Sequence, residues 1–204
     1  TCTLFAPNKG VNSFESIVKS LDVDNFFYKH FKDLISIVPN LSEQYFSNPT
    51  SSLGFVRCSS WKEHNTMLIG DACHATVPFY GQGMNSGFED CFLLNKWLDT
   101  KRDLGHPDID AFLKRRIIDT TAMQDLSMHN FIEMKDKTAN TNFLIQKKIE
   151  EWFSNKHPQK WTPLYSMVTF SDIRYSEALQ RGKVQNKIMF DIMRVNNLHS
   201  VFSI

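Results

Sequence analysis

An apolar run, Thr66-Met67-Leu68-Ile69, ends in Gly70-Asp71, and a turn with two glycines, Pro78-Phe79-Tyr80-Gly81-Gln82-Gly83, follows it. Ionised, Asp71 can only accept hydrogen bonds, which suits a ligand hydroxyl such as one on a ribose or ribityl chain. The carboxyl end of a strand is also where α/β folds place ligand contacts. Read alone, Asp71 is more simply a turn-capping residue. Glycines in the second turn let backbone pass close to a planar ligand, and a helix starting near Met84 offers unpaired N–H groups and a positive partial charge. Such a terminus would stabilise a ring system that becomes anionic on reduction. A glycine turn entering a helix is on its own as often structural as functional. The run, the Gly-Asp pair and the glycine turn at these spacings are together far more specific.

Other chemistries find little support. No Ser-His-Asp or Cys-His nucleophile pattern occurs, no catalytic acid or base is nominated, and Glu89, Asp90 and Glu133 read as surface or supporting groups. Cys2, Cys58, Cys73 and Cys91 form no Cys-x-x-Cys pair, and no His lies at metal-loop spacing from them, so no metal site is expected. Reduced, buried thiols in an intracellular protein are the plain reading.

The elements that must position these residues follow from periodicity. Residues 1–6, 53–58 and 66–69 alternate or run apolar like strands, with a turn through Lys62–Asn65. Ser13 could cap a short helix carrying Phe14, Ile17, Val18 and Leu21. A second helix from Asp24 would place Phe26, Phe27, Phe31, Leu34 and Ile35 on one face. Residues 83–100 are helical in period. Pro107 suits the first position of a long helix through 108–140, with Phe112, Leu113, Ile117, Met123, Leu126 and Met134 on one face. A helix over 142–153, an apolar-alternating stretch over 164–170 and a final helix capped by Ser176 complete the pattern. The fold class is α/β in the mixed, α+β sense: strands and helices in the first hundred residues, then almost all helix.

With 204 residues, 42% hydrophobic and 22% charged, the chain has the composition of a folded globular protein. Its 23 basic and 22 acidic residues leave a formal charge of +1, which argues against nucleic acid as a partner. No run of 18 apolar residues long enough to span a bilayer occurs, and no signal peptide is expected from these residues. Apolar patterns open at Thr1–Ala6 and stop at Val201–Ile204 without turn signals, so the chain reads as a piece of a longer polypeptide.

Gly70-Asp71 with His74-Ala75, followed by Pro78 and Gly81-Gln82-Gly83-Met84-Asn85, resembles the second FAD-binding motif of class A flavoprotein aromatic hydroxylases. The resemblance implies that Asp71 binds ribityl hydroxyls and that Gly83, Met84 and Asn85 contact the flavin ring, while His74 packs or bonds within the turn. A closer similarity runs to the branch of that family acting on an aromatic amino acid. It is carried by Pro78–Asp90, His129–Met134, Leu164–Phe170, Arg174-Tyr175 and Gln180-Arg181, and it covers essentially the whole chain. It implies 3-hydroxylation of L-kynurenine with FAD bound and NADPH and O2 as co-substrates, in tryptophan breakdown toward NAD. Asn130 and Tyr165, 35 positions apart, would hold the substrate's amino-acid carboxylate, with Pro78, Phe79 and Gln82 lining its ring. The residues themselves leave both roles open: an inward amide at Asn130, or an interior hydroxyl at Tyr165, needs a partner that could equally be a structural hydrogen bond.

The resemblance further implies the C-terminal part of such an enzyme. Residues 1–60 would end the substrate-binding domain, 61–103 would end the FAD-binding domain, and 104–204 would form a helical C-terminal region. The Gly-x-Gly-x-x-Gly turn for the ADP portion, and the arginine and tyrosine that complete the carboxylate site, would lie on an N-terminal half, which is therefore the expected partner. Eukaryotic members imply the cytosolic face of the mitochondrial outer membrane, with a cytoplasmic location as the alternative. Residues 184–204 could touch that surface, though packing on its own protein is the simpler use of such a helix. Two rival readings remain, a flavin hydroxylase for another aromatic acid and a non-catalytic helical interaction module.

Overall fold

The structure, a computed structural model, describes residues 2–101 and 109–194. The chain divides into two compact units, 1–52 and 53–204.

In the first unit, a 3-10 turn at Phe14–Ser16 precedes α1 (Ser20–His30), α2 (Lys32–Ile35) and α3 (Leu41–Ser47). The expected helix from Asp24 starts earlier, because the Asp22 carboxylate accepts the N–H groups of Val18 and Lys19 (3.1 and 2.9 Å). It also ends earlier, since Phe31 leaves helical geometry (φ −144°, ψ 50°). Ile17, Val23 and Phe27 form the core, with Phe26 and Leu34 packed on it. Phe31 and Ile35, expected on the same face, stand exposed.

The second unit opens with an extended segment and a hairpin, β1 (Lys62–Glu63) against β2 (Thr66–Met67), antiparallel with Lys62 opposite Met67. Among the described residues six α-helices follow, with a 3-10 turn at Pro78–Tyr80 between the first two: α4 (Asp71–His74), α5 (Gly83–Lys101), α6 (Ile109–Asp136), α7 (Thr141–Lys156), α8 (Leu164–Thr169) and α9 (Tyr175–Ile192). Residues 2–6 and 53–58, expected as strands, are not laddered. Val56 and Cys58 do donate their N–H groups to the carbonyls of Ala75 and Cys73 (3.0 and 3.2 Å). That alternation is half of a strand's bonding, and the described residues supply no second strand to complete it. The stretch at 164–170 is a short helix instead of an extended run, with Met167 N–H bonded to the Pro163 carbonyl at 3.0 Å.

α6 is the spine, 28 residues long and so roughly 42 Å. Its early inward residues Phe112 and Leu113 pack with Trp61 and Cys73, while Leu93, Leu94 and Trp97 of α5 lie against that cluster. Ala122, Met123 and Leu126 pack with Tyr80 and with α8 and α9 through Met167, Val168, Ala178 and Leu179. Ile145, Ile149, Trp161 and Met189 join α7 to α9. Each fully buried Leu or Met contributes about 2 kcal/mol through lost water contact. Met134 departs from the expected buried face and is exposed. Pro107 lies outside the described residues, as does the tail of the surface stretch beyond 194.

Two polar devices complete the frame. Gln124 of α6 donates to the carbonyls of Val56 and Ala75 (2.6 and 2.9 Å) and accepts from Arg57 Nε at 2.8 Å. The cap of α9 comes from outside its own segment. Arg174, not Ser176, holds the N-cap position, and buried Asp119 of α6 accepts from Ser176 Oγ (2.6 Å) and Arg174 Nε (2.9 Å). All four cysteines are free, but only Cys73 is buried; Cys2 and Cys91 face outward. Among the described residues no helix is long and apolar enough to cross a membrane, and no group of side chains could hold a metal ion.

Candidate functional site

Gly70 adopts φ +62°, ψ −144°, open to glycine and strained for any residue with a Cβ. The chain thereby turns sharply from the hairpin into α4, making Asp71 its first residue. Gly70 also lies on α5: a Cβ added at Gly87 would stand 3.6 Å from the Gly70 Cα. Asp71 is exposed, and its carboxylate accepts no hydrogen bond from the described residues. Its Oδ1 lies 4.0 Å from where a Cβ on Gly83 would be.

Gly83 is the first residue of α5. The first intrahelical bond runs from Ser86 N–H to the Gln82 carbonyl at 2.8 Å. That leaves the N–H groups of Gly83, Met84 and Asn85 without carbonyl partners in the helix. An unengaged acceptor therefore lies beside a helix start whose first N–H groups have no carbonyl partner within the helix. Met84 is 71% exposed beside them, while Asn85 turns its Nδ2 to Gln82 Oε1 at 3.2 Å. Thr76 Oγ1, Ser86 Oγ and His74 Nδ1 are buried near this junction without partners among the described residues.

The other expected ligand residues gather on the 3-10 turn Pro78–Tyr80. Asn130 of α6 donates Nδ2 to the Phe79 carbonyl at 2.8 Å. Tyr165 of α8 stacks on Tyr80 with ring centroids 5.5 Å apart, and half of it remains exposed. Phe79 packs on Phe131 at 4.7 Å, and Pro78 is exposed. Gln82 is not brought to that surface. It is 4% exposed and accepts from Tyr175 Oη at 3.2 Å. Burial pushes the Tyr80 and Tyr175 hydroxyls up to about 12, so both stay neutral at ordinary pH.

One buried cluster was only partly foreseen: Asp90 and Glu89 read as surface or supporting groups and His74 as bonding within its turn, but their joining to Arg116 was not expected. Asp90 Oδ2 accepts from His74 Nε2 (2.6 Å) and from Gly70 N–H (2.9 Å). Its Oδ1 accepts from Arg116 Nε at 2.9 Å, and Arg116 also reaches Glu89 at 3.0 Å. Trp61 stacks on the His74 ring at 5.1 Å. Burial pushes the Asp90 carboxyl up, but hydrogen bonds from His74 and Gly70 and the Arg116 guanidinium outweigh it, leaving Asp90 below the ordinary carboxylate value. A signal was present: Asp90 shares the inward register of Ser86, Leu93 and Trp97, and Arg116 that of Phe112 and Met123. Charges on inward registers require partners.

The Asp71 turn and the amide-rich start of α5 both fall within one stretch of the chain that matches a known family model. Residues 48–101 match the family model described as FAD binding domain. Over its whole length the chain is homologous to kynurenine 3-monooxygenases. It is 48% identical over 204 residues to the kynurenine 3-monooxygenase of Flavobacterium johnsoniae, covering all of this chain and 46% of that protein. It is 41% identical over 192 residues to the Sus scrofa enzyme of that name, covering 93% of this chain and 40% of that protein. With the Xanthomonas campestris enzyme the identity is 36% over 94% of this chain and 42% of that protein. The chain thus spans less than half the length of these curated relatives.

Proposed function

We propose that this chain carries flavin- and substrate-contacting turns of a monooxygenase that uses FAD and NADPH to convert L-kynurenine to 3-hydroxykynurenine. It would act with the polypeptide corresponding to the rest of its relatives. The observation that carries the reading is the unengaged Asp71 carboxylate beside the unpaired N–H groups at Gly83–Asn85. Asp71 accepts hydroxyls of the ribityl chain, and the N–H groups donate to the electron-rich edge of the ring, where the α5 dipole favours negative charge. Bound FAD supplies the electron transfer from NADPH and the oxygen activation that side chains cannot.

The protein's remaining task is placement. Asn130 spends one N–H on Phe79 and keeps the other for a ligand carboxylate, with the half-exposed Tyr165 across the same turn. Pro78 and Phe79 shape the wall for the aromatic ring. A carboxylate held by an amide and a phenol still lacks a cation, which the partner polypeptide would supply. Met84, Phe88 and Phe92 form an outward stripe on α5, 71, 66 and 66% exposed, which supports such a partner covering this helix.

The test is the absorption spectrum and NADPH consumption of the chain co-expressed with the remaining polypeptide. Flavin bands, and NADPH oxidation faster with kynurenine than with hydroxybenzoates, are expected. Flavin bands with a hydroxybenzoate preference would move the substrate to another aromatic acid, and a colourless preparation would favour an interaction module.

A further inference from the structure

We propose that Asp90 is the positioning residue of the flavin-contacting turn, acting through His74 and Gly70. This rests on the flavin reading above for its purpose but not for its geometry. The Asp90 carboxylate grips both ends of α4: Gly70, the N-cap, at 2.9 Å and His74, the last residue, at 2.6 Å. Asp71 lies between the two grips. On its other oxygen Asp90 takes Arg116, so α4, α5 and α6 meet at one carboxylate.

α5 thereby acts as a ruler. Its first residue, Gly83, presents the backbone donors, and roughly 10.5 Å along the same helix Asp90 fixes the turn that presents Asp71. Two fixed points on one rigid element set the separation of the acceptor and the donors. Gly87, between them, leaves the turn room to sit directly on the helix backbone.

Stability alone is a poor explanation for this cluster. A fully buried Arg–carboxylate pair is often no better than apolar side chains of equal volume. Its benefit is directional. His74 and Arg116 are both 2% exposed or less, and each has a donor aimed at the carboxylate from a different side. A carboxylate only accepts, so His74 carries its proton on Nε2 in this bond.

The test uses His74→Phe, His74→Gln and Asp90→Asn in the chain co-expressed with the remaining polypeptide, with and without FAD. Gln keeps a donor near the position of Nε2, whereas Phe keeps only ring bulk. Without FAD, hydrogen exchange at the Gly70–His74 amides is expected to quicken about tenfold or more in His74→Phe and to stay near wild type in His74→Gln. With FAD, the dissociation constant is expected to rise about tenfold in His74→Phe and Asp90→Asn and to be rescued by Gln. Wild-type exchange and affinity in His74→Phe would overturn the proposal, as would a Gln variant as impaired as Phe. If Asp90→Asn does not fold, the two His74 variants decide alone, because both retain the Asp90–Arg116 pair. Exchange effects without any FAD binding by wild type would uphold the positioning geometry and refute the flavin reading instead.

Discussion

Asn130 donates its side-chain N–H to the backbone carbonyl of Phe79 at 2.8 Å, so a residue of α6 holds in place the 3-10 turn ahead of the glycine loop. An amide that holds the turn and retains a second donor can report ligand binding directly to that loop. Substituting Asn130→Ala removes the bond. A loss of about 1 kcal/mol in urea unfolding is expected and, if the proposed function holds, a higher KM for kynurenine in the chain co-expressed with the remaining polypeptide. Unchanged unfolding would mean the bond is idle in solution.

Acid should expose the Asp90 cluster. Folding lowers the Asp90 carboxyl below its unfolded value of about 3.9. Its stabilisation is therefore complete above that value and is lost as the pH falls through the lower, folded one. Urea midpoints measured from pH 7 to pH 3 should drop more steeply below about pH 4 in wild type than in Asp90→Asn. Parallel curves would contradict the coupling. At the alkaline end the sign reverses. Tyr80 and Tyr175 are held protonated to about 12, so stability should decline once the pH passes about 10, where unfolded tyrosines ionise.

α8 and α9 touch at a glycine. A Cβ at Gly182 would stand 2.8 and 2.9 Å from the two methyl carbons of Leu164. In an open helix Gly→Ala stabilises by about 1 kcal/mol; here the overlap should reverse the sign, giving a net loss of about 1 kcal/mol. Leu164 precedes Tyr165, so the Tyr80–Tyr165 stack should loosen and the near-UV circular dichroism weaken. A raised Tm would show that Leu164 moves aside freely.

The long helices were legible because their apolar residues repeat over many turns: Phe112, Leu113, Met123 and Leu126 fix α6 without help from tertiary context. Residues 53–58 were not, since alternation marks an extended chain but cannot say whether a neighbour completes the ladder. Six residues at Leu164–Thr169 are too few to distinguish a 3.6-residue period from a period of two. Asp71 and Gly83 could be singled out from spacing, but not the fact that they lie side by side. Arg116 and Asp119 were hidden, and Asp90 was left between a surface and a supporting role, because a charge in an amphipathic helix normally belongs to solvent, and only their register, read against the apolar face, marks them as interior.

Flavin fluorescence decides the central claim most directly. Titrating FAD into the chain co-expressed with the remaining polypeptide, wild type should quench the emission saturably. Asp71→Ala should raise the dissociation constant about tenfold or more, the cost of one charge-assisted hydrogen bond, while circular dichroism stays unchanged because the exposed carboxylate supports nothing else. Equal affinity in the two proteins would contradict the assignment of Asp71 and the α5 terminus as the flavin cradle.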